Sequence, residues 1–130
     1  MSKLGELHES LYNDSAYDCV CITESWLHDE ISNGLLDPKS MYTIIRCDRT
    51  IGRGGGVCIM VRKELKIHSV ELAAAPSGID VVCFDLLESN VPYRFFVVYR
   101  PPTSCVGRLT DVSPVECMKQ LTKCLDLNLN

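Results

Sequence analysis

A chain of 130 residues with 46% hydrophobic and 23% charged side chains has the make-up of one globular domain, which excludes a disordered, fibrous or collagen-like polypeptide. At that length one core is the ceiling. A domain near this size buries only about two-thirds of the surface its unfolded chain exposes, so completeness of the fold decides its stability. The formal net charge of −4 argues against strong nonspecific attraction to a polyanion.

Leu4, Leu7 and Leu11 recur at helical spacing with Lys3, Glu6, Glu9 and Ser10 on the other side, so residues 2–13 are predicted to form an amphipathic helix ended by Asn13 and Asp14. The run Cys19-Val20-Cys21-Ile22 is apolar without alternation, which predicts a strand covered on both faces, with Thr23 and Glu24 emerging at its carboxyl end. A polar loop containing Asn33-Gly34 and Asp37-Pro38 follows. Residues 42–46 are β-rich and stop at the charged cluster Arg46-Cys47-Asp48-Arg49. The glycines at 52 and 54–56 then lead through a turn into a buried strand, Val57-Cys58-Ile59-Met60-Val61, with a short strand near Ile67. Residues 79–87 and 93–99 read as an antiparallel hairpin turning at Asn90 and Pro92, and Pro101-Pro102 stops its second strand. Ser113-Pro114 starts a last helix, whose apolar rhythm is Val115, Met118, Leu121 and Leu125. Several successive strands lack an intervening helix, so layered α/β (α+β) packing around a mixed β-sheet suits the chain better than a doubly wound parallel sheet.

Charge is unevenly placed. Residues 1–40 carry two Lys against eight Asp and Glu, whereas Arg46, Arg49, Arg53, Arg62, Lys63 and Lys66 outnumber Asp48 and Glu64 between 46 and 66. Such a basic segment suits either a phosphate-facing loop near a metal-holding carboxylate or a solvated mixed face. Eight cysteines raise the question of disulfides, but no basic, then apolar, then small-residue leader opens the sequence, so reduced thiols are expected. Cys19, Cys21, Cys58 and Cys83 sit in apolar runs as small buried hydrophobes, and no C-x-x-C pair offers zinc a site. No stretch approaches the roughly 20 apolar residues needed to cross a bilayer. A nuclear or cytoplasmic location is the corresponding expectation.

Glu24 is the most informative acid, because open α/β sheets place ligand sites beyond the carboxyl ends of their strands. Mg²⁺ is held by one or two carboxylates and keeps several waters, so a single strand-tip Glu can anchor it; a solvated loop acid has the same sequence signature. The glycine-rich stretch lacks the Gly-Lys-Ser/Thr ending of a nucleotide loop, and glycines before a strand more often mark a turn or bulge. His8, His28 and His68 fall in no catalytic pattern.

The string Thr23-Glu24-Ser25-Trp26-Leu27 resembles the Thr-Glu-(Ser/Thr)-Trp-Leu motif of the endonuclease/exonuclease/phosphatase superfamily, as carried by non-LTR retrotransposon endonucleases. Three further matches follow in the family's order: Arg46-Cys47-Asp48-Arg49, Arg53-Gly54-Gly55-Gly56-Val57 and Val98-Tyr99-Arg100-Pro101-Pro102. The resemblance implies one partial domain over residues 1–130, a partial four-layer α/β sandwich, DNA as partner and Mg²⁺ as cofactor. It implies Glu24 as the metal-ligand and catalytic glutamate, and Tyr99 as the catalytic tyrosine beside the scissile phosphate. Arg53 and Arg100 are candidates to touch the DNA backbone, or equally to be solvated or paired with Asp48 or Asp111. Tyr99 in the bland alternative is an aromatic packing at a strand end.

The family pattern also includes an earlier strand ending in Asn, a Gly-Asp-Phe-Asn motif and a Ser-Asp-His motif that activates the attacking water. None of these occurs here. Catalytic groups acting as a unit fail together when members are lost, so the chain is expected to have no appreciable nicking activity. Exposed apolar surface, an unprotected strand edge and self-association through it are further expectations, and a noncatalytic protein-interaction module built on that edge is the alternative.

Overall fold

The computed structural model describes residues 2–13, 17–50, 54–74, 76, 78–101 and 114–129. In chain order these form α1 (Lys3–Tyr12), β1 (Cys19–Thr23), α2 (Asn33–Leu36), β2 (Tyr42–Cys47), β3 (Val57–Arg62), β4 (Ile67–Val70), β5 (Asp80–Leu86), β6 (Tyr93–Tyr99) and α3 (Pro114–Asn128). The strands make two three-stranded sheets, ordered β1-β3-β2 and β4-β5-β6. Every pairing among the described strands is antiparallel. That corrects the expectation of a mixed sheet. Each central strand lies between strands that run opposite to it, and β5 and β6 are joined by a short turn, which only an antiparallel pair allows.

The central strands carry the core because their side chains are apolar on both faces. Val57, Ile59 and Val61 of β3 meet Val82 and Phe84 of β5 between the sheets, with Ile45 and Val97 alongside. On the outer face of β3, Cys58 and Met60 pack with Leu11 and Tyr42, flanked by Leu4 and Leu7 of α1. The outer face of β5 presents Val81 to Cys117 and Leu121 of α3. Helix, sheet, sheet and helix therefore follow one another through the molecule, in a mixed α and β fold. Each fully buried Val, Ile or Met contributes about 1.5–3 kcal/mol, and Val57 to Val61 are all at most 1% exposed.

Three local expectations are corrected. β1 is an edge strand that alternates, with Val20 and Ile22 packed toward α1 and Cys19 and Cys21 exposed. Its apolar composition resembles that of a central strand, but no strand lies on its other side among the described residues. Cys58 and Cys83 are buried as expected, and burial pushes the Cys58 thiol up to about 11. The polar loop contains the short helix α2, which buries Leu36. In α3 the stripe facing the sheet is Cys117, Leu121, Cys124 and Asn128, while Val115 and Met118 face outward.

Two polar clamps hold the outer helices. Buried Asp37 accepts from the Tyr12 hydroxyl at 2.6 Å and from the Tyr42 N–H at 2.8 Å, tying α1 and α2 to β2. Burial would raise the Asp37 pKa, but the Tyr12 hydroxyl and the N–H groups of Tyr42 and Met41 hold it below its ordinary value. At the other side, Arg94 of β6 grips Asp85 through two bonds of 2.6 and 2.7 Å and also donates to the Asn128 carbonyl at the end of α3. The Asn128 amide closes both the N–H and the C=O of Ala73.

Candidate functional site

The antiparallel pairing of β1 with β3 does not stop at Thr23. The Ser25 N–H donates to the Gly56 carbonyl at 3.2 Å and the Trp26 N–H to the Gly55 carbonyl at 3.0 Å. To continue along that track the chain adopts left-handed backbone at two residues that disfavour it, Glu24 with φ 52° and Trp26 with φ 56°. Such conformations cost about 1–3 kcal/mol each and persist only where the surroundings enforce them. On the facing segment Gly56 has φ 85°, and a Cβ there would lie 2.8 Å from the Ser25 hydroxyl oxygen. Glycine is required at 56 by backbone and by space together. The described glycines 54–56 thus form a left-handed stretch that receives the segment after β1, in keeping with the positional meaning of glycines before a strand.

Glu24 meets Tyr99 across the two sheets. The Tyr99 hydroxyl donates to the Glu24 carboxylate in a short hydrogen bond, joining the end of β1 to the end of β6 over 75 positions of sequence. Tyr99 packs its ring at the margin of the core between the sheets, so it serves both as a packing aromatic and as a hydroxyl delivered to the surface. Glu24 is exposed.

Directly opposite Tyr99 in the β5–β6 register stands Asp80. Its Oδ2 accepts from Arg49 Nη2 at 2.6 Å and from the Gly56 N–H at 2.9 Å, and the two side chains are only 13% and 11% exposed. This buried ion pair ties the glycine turn to β5. Between the turn and Glu24, the Ser25 hydroxyl oxygen is buried with no hydrogen-bond partner among the described residues. Leaving it so costs about 1–3 kcal/mol.

The basic segment is mostly consumed by the fold. Arg46 pairs with Asp48 at 2.5 Å and donates to the carbonyls of Ile31 and His28, fixing the loop before α2. Arg49 belongs to Asp80, Arg62 donates to the Tyr17 carbonyl, and Lys63 donates to Ser40. Asp48 is therefore engaged by Arg46. Arg100 is exposed immediately after Tyr99. Arg53, with Asp111, Ser113 and Pro102, lies outside the described residues. His8 bonds the Leu35 carbonyl at 3.0 Å, and His28 and His68 are exposed.

For a divalent cation the donors gathered here are few. Among the described residues no three His, Cys, Asp or Glu side chains stand together, and Asp80 is committed to Arg49. Glu24 supplies one carboxylate, the least with which a Mg²⁺ that keeps several waters is held. A recess lined by Val115, Met118, Thr122 and Leu127 on the outer side of α3 shares no residue with this site.

Sequence reasoning placed Glu24 and Tyr99 as candidates, but missed the Arg49–Asp80 pair and the orphaned Ser25 hydroxyl. Asp80 carried a signal, an acid opening an otherwise apolar strand; Ser25 carried none. Comparison of the sequence with known protein families and with curated proteins finds no match to either.

Proposed function

We propose that this chain carries part of a metal-dependent phosphodiesterase site, descended from the endonuclease/exonuclease/phosphatase domain of non-LTR retrotransposons, and that alone it does not cut DNA. The observation that carries this reading is the bond between Glu24 and Tyr99. Two residues singled out from motifs 75 positions apart meet at one point, at the carboxyl ends of β1 and β6. The succession of helix, sheet, sheet and helix is also the order expected of a partial four-layer sandwich.

In this reading Glu24 is the Mg²⁺ anchor, and a bound ion would neutralise phosphate charge. On the same reading the Tyr99 hydroxyl, bonded to Glu24, turns to donate to a phosphoryl oxygen when a phosphodiester is present. Arg100, exposed beside Tyr99, is a candidate contact to the DNA backbone, and so is Arg53. The parent activity is the nicking of one DNA strand to leave a 3′ hydroxyl for reverse transcription. DNA as partner agrees with a nuclear or cytoplasmic location, and among the described residues no helix is long and apolar enough to cross a membrane. No group in the sequence matches the family's water-activating Ser-Asp-His motif, and hydrolysis without a positioned base loses most of its rate.

Mn²⁺ titrated into isotope-labelled protein tests the anchor. Resonance broadening is expected to centre on residues 23–26 and 99 and to vanish in Glu24→Gln. Broadening centred elsewhere, or unchanged in the variant, would remove the metal from Glu24.

A second reading, a noncatalytic interaction module, is favoured by one observation. Among the described residues β1 and β6 are edge strands of their sheets, and each carries exposed side chains, Cys19 and Cys21 on β1 and Tyr93 (62%) and Phe95 (44%) on β6. Strand edges next to apolar surface are sites of strand addition and of self-association.

A further inference from the structure

Trp26 is the one tryptophan of the chain, and it stands two residues after Glu24 with 59% of its surface exposed. An indole in water forgoes the burial that gives tryptophan its value in a core. This one is held in place. Its backbone is left-handed, and its N–H is bonded to the Gly55 carbonyl at 3.0 Å. The ring lies against Gly54, where a Cβ would come within 3.1 Å of indole Cε2 and Cζ2. Glycine backbone thus supports the ring from one side, and more than half of the residue remains open to solvent. Strained, supported and exposed, this aromatic adjoins Glu24 and belongs to none of the core clusters among the described residues.

We propose that Trp26 is a stacking platform for an unpaired nucleobase, positioned beside the Glu24–Tyr99 pair. The inference rests on the reading of that pair as phosphate-facing, and adds to it which part of the nucleic acid the chain holds. A base and its own phosphate are near neighbours, as Trp26 and Glu24 are in the chain. The exposed cation of Arg100 after Tyr99 supplies positive charge for the backbone. Stacking tolerates any base because every base has a π-face, so preference for single strands over duplex is expected, without sequence readout.

The single tryptophan is also the probe. The full chain is titrated with an octamer of thymidylate and with a base-free octamer of the same sugar-phosphate charge, each with and without Mg²⁺, while intrinsic fluorescence is followed. The thymidylate octamer is expected to quench about half of the emission at saturation, and the base-free octamer to leave it nearly unchanged. In anisotropy measurements with a labelled thymidylate octamer, Trp26→Ala is expected to weaken binding about 5- to 100-fold. Trp26→Phe, which keeps a ring, is expected to stay within about threefold of the parent, separating stacking from loss of fold. Equal quenching by both octamers, or none by either, overturns the stacking platform. Failure of the phosphate-facing reading has a different signature: the thymidylate octamer still quenches, but Mg²⁺ and Glu24→Gln change the binding of neither octamer.

Discussion

Glu24 and Tyr99 show how little of a site can be read from one side chain. An exposed acid after a strand is ordinary, and so is a tyrosine at a strand end; the meeting of the two across sheets is not. What sets their positions lies beneath them, in the ion pair of Arg49 with Asp80 and in the left-handed glycine at 56. Removing one member of a buried pair strands the other, so Asp80→Asn is expected to cost about 3 kcal/mol in urea unfolding. Gly56→Ala introduces a Cβ 2.8 Å from the Ser25 oxygen at φ 85°, and is expected to cost about 1–3 kcal/mol. A Gly56→Ala protein with an unchanged midpoint would show that the turn is not packed as described. The ion pair was not legible in the sequence, since Asp80 stands 31 positions from Arg49 and only folding makes them neighbours, whereas the glycines before β3 did mark a special backbone.

At the scale of elements, periodicity served well where one face of an element is wet and less well elsewhere. Residues 2–13 alternate polar and apolar sides at helical spacing, and α1 follows within a residue at each end. The hairpin of β5 and β6 was legible from its turn residues. In β1 the apolar run gave no hint of an edge, because composition records what a residue tolerates and not which strands arrive beside it. In α3, Leu121 of the predicted rhythm does face the sheet, but Cys117, Cys124 and Asn128 take the rest of the stripe in place of Val115 and Met118, which are exposed. Asn128 is buried because its amide replaces a backbone partner for Ala73, a use that hydropathy does not reveal.

The clamps on the helices titrate. The Arg94 guanidinium holds the Asp85 carboxyl below its ordinary value of 3.8, and Asp37 is likewise lowered. Carboxyls with depressed folded pKa stabilise the fold above 3.8 and lose that contribution as pH falls through their lower folded values. Acid is therefore expected to loosen α1 and α3 below pH 3.8, read as faster amide exchange at both helix ends, with Asp85→Asn removing the pH dependence at α3 alone. Burial, with Asp37 next, pushes Tyr12 up to about 12. Its contribution is complete below 10 and is lost as pH rises through about 12, so α1 is expected to loosen in strong base, an effect that Tyr12→Phe should abolish.

At the scale of the whole molecule, two three-stranded sheets among the described residues enclose a shared core, with β1 and β6 as edge strands and Tyr93 and Phe95 of β6 exposed. The run of successive strands without intervening helices pointed to layered α and β structure, but not to two small antiparallel sheets, because strand order depends on contacts far apart in the chain. Such edges make concentration a variable. Sedimentation equilibrium is expected to show reversible self-association, and Tyr93→Lys, a charge on the edge, to reduce it. A strict monomer at every concentration would favour a closed edge and weigh against the interaction-module reading.

The most direct measurement is incubation of the purified chain with supercoiled plasmid and Mg²⁺. With Glu24 and Tyr99 present but no group to activate water, open circles are expected to stay at the level of the protein-free control. Accumulation of open circles that a chelator stops and Glu24→Ala abolishes would contradict the proposal that this chain does not cleave DNA unaided.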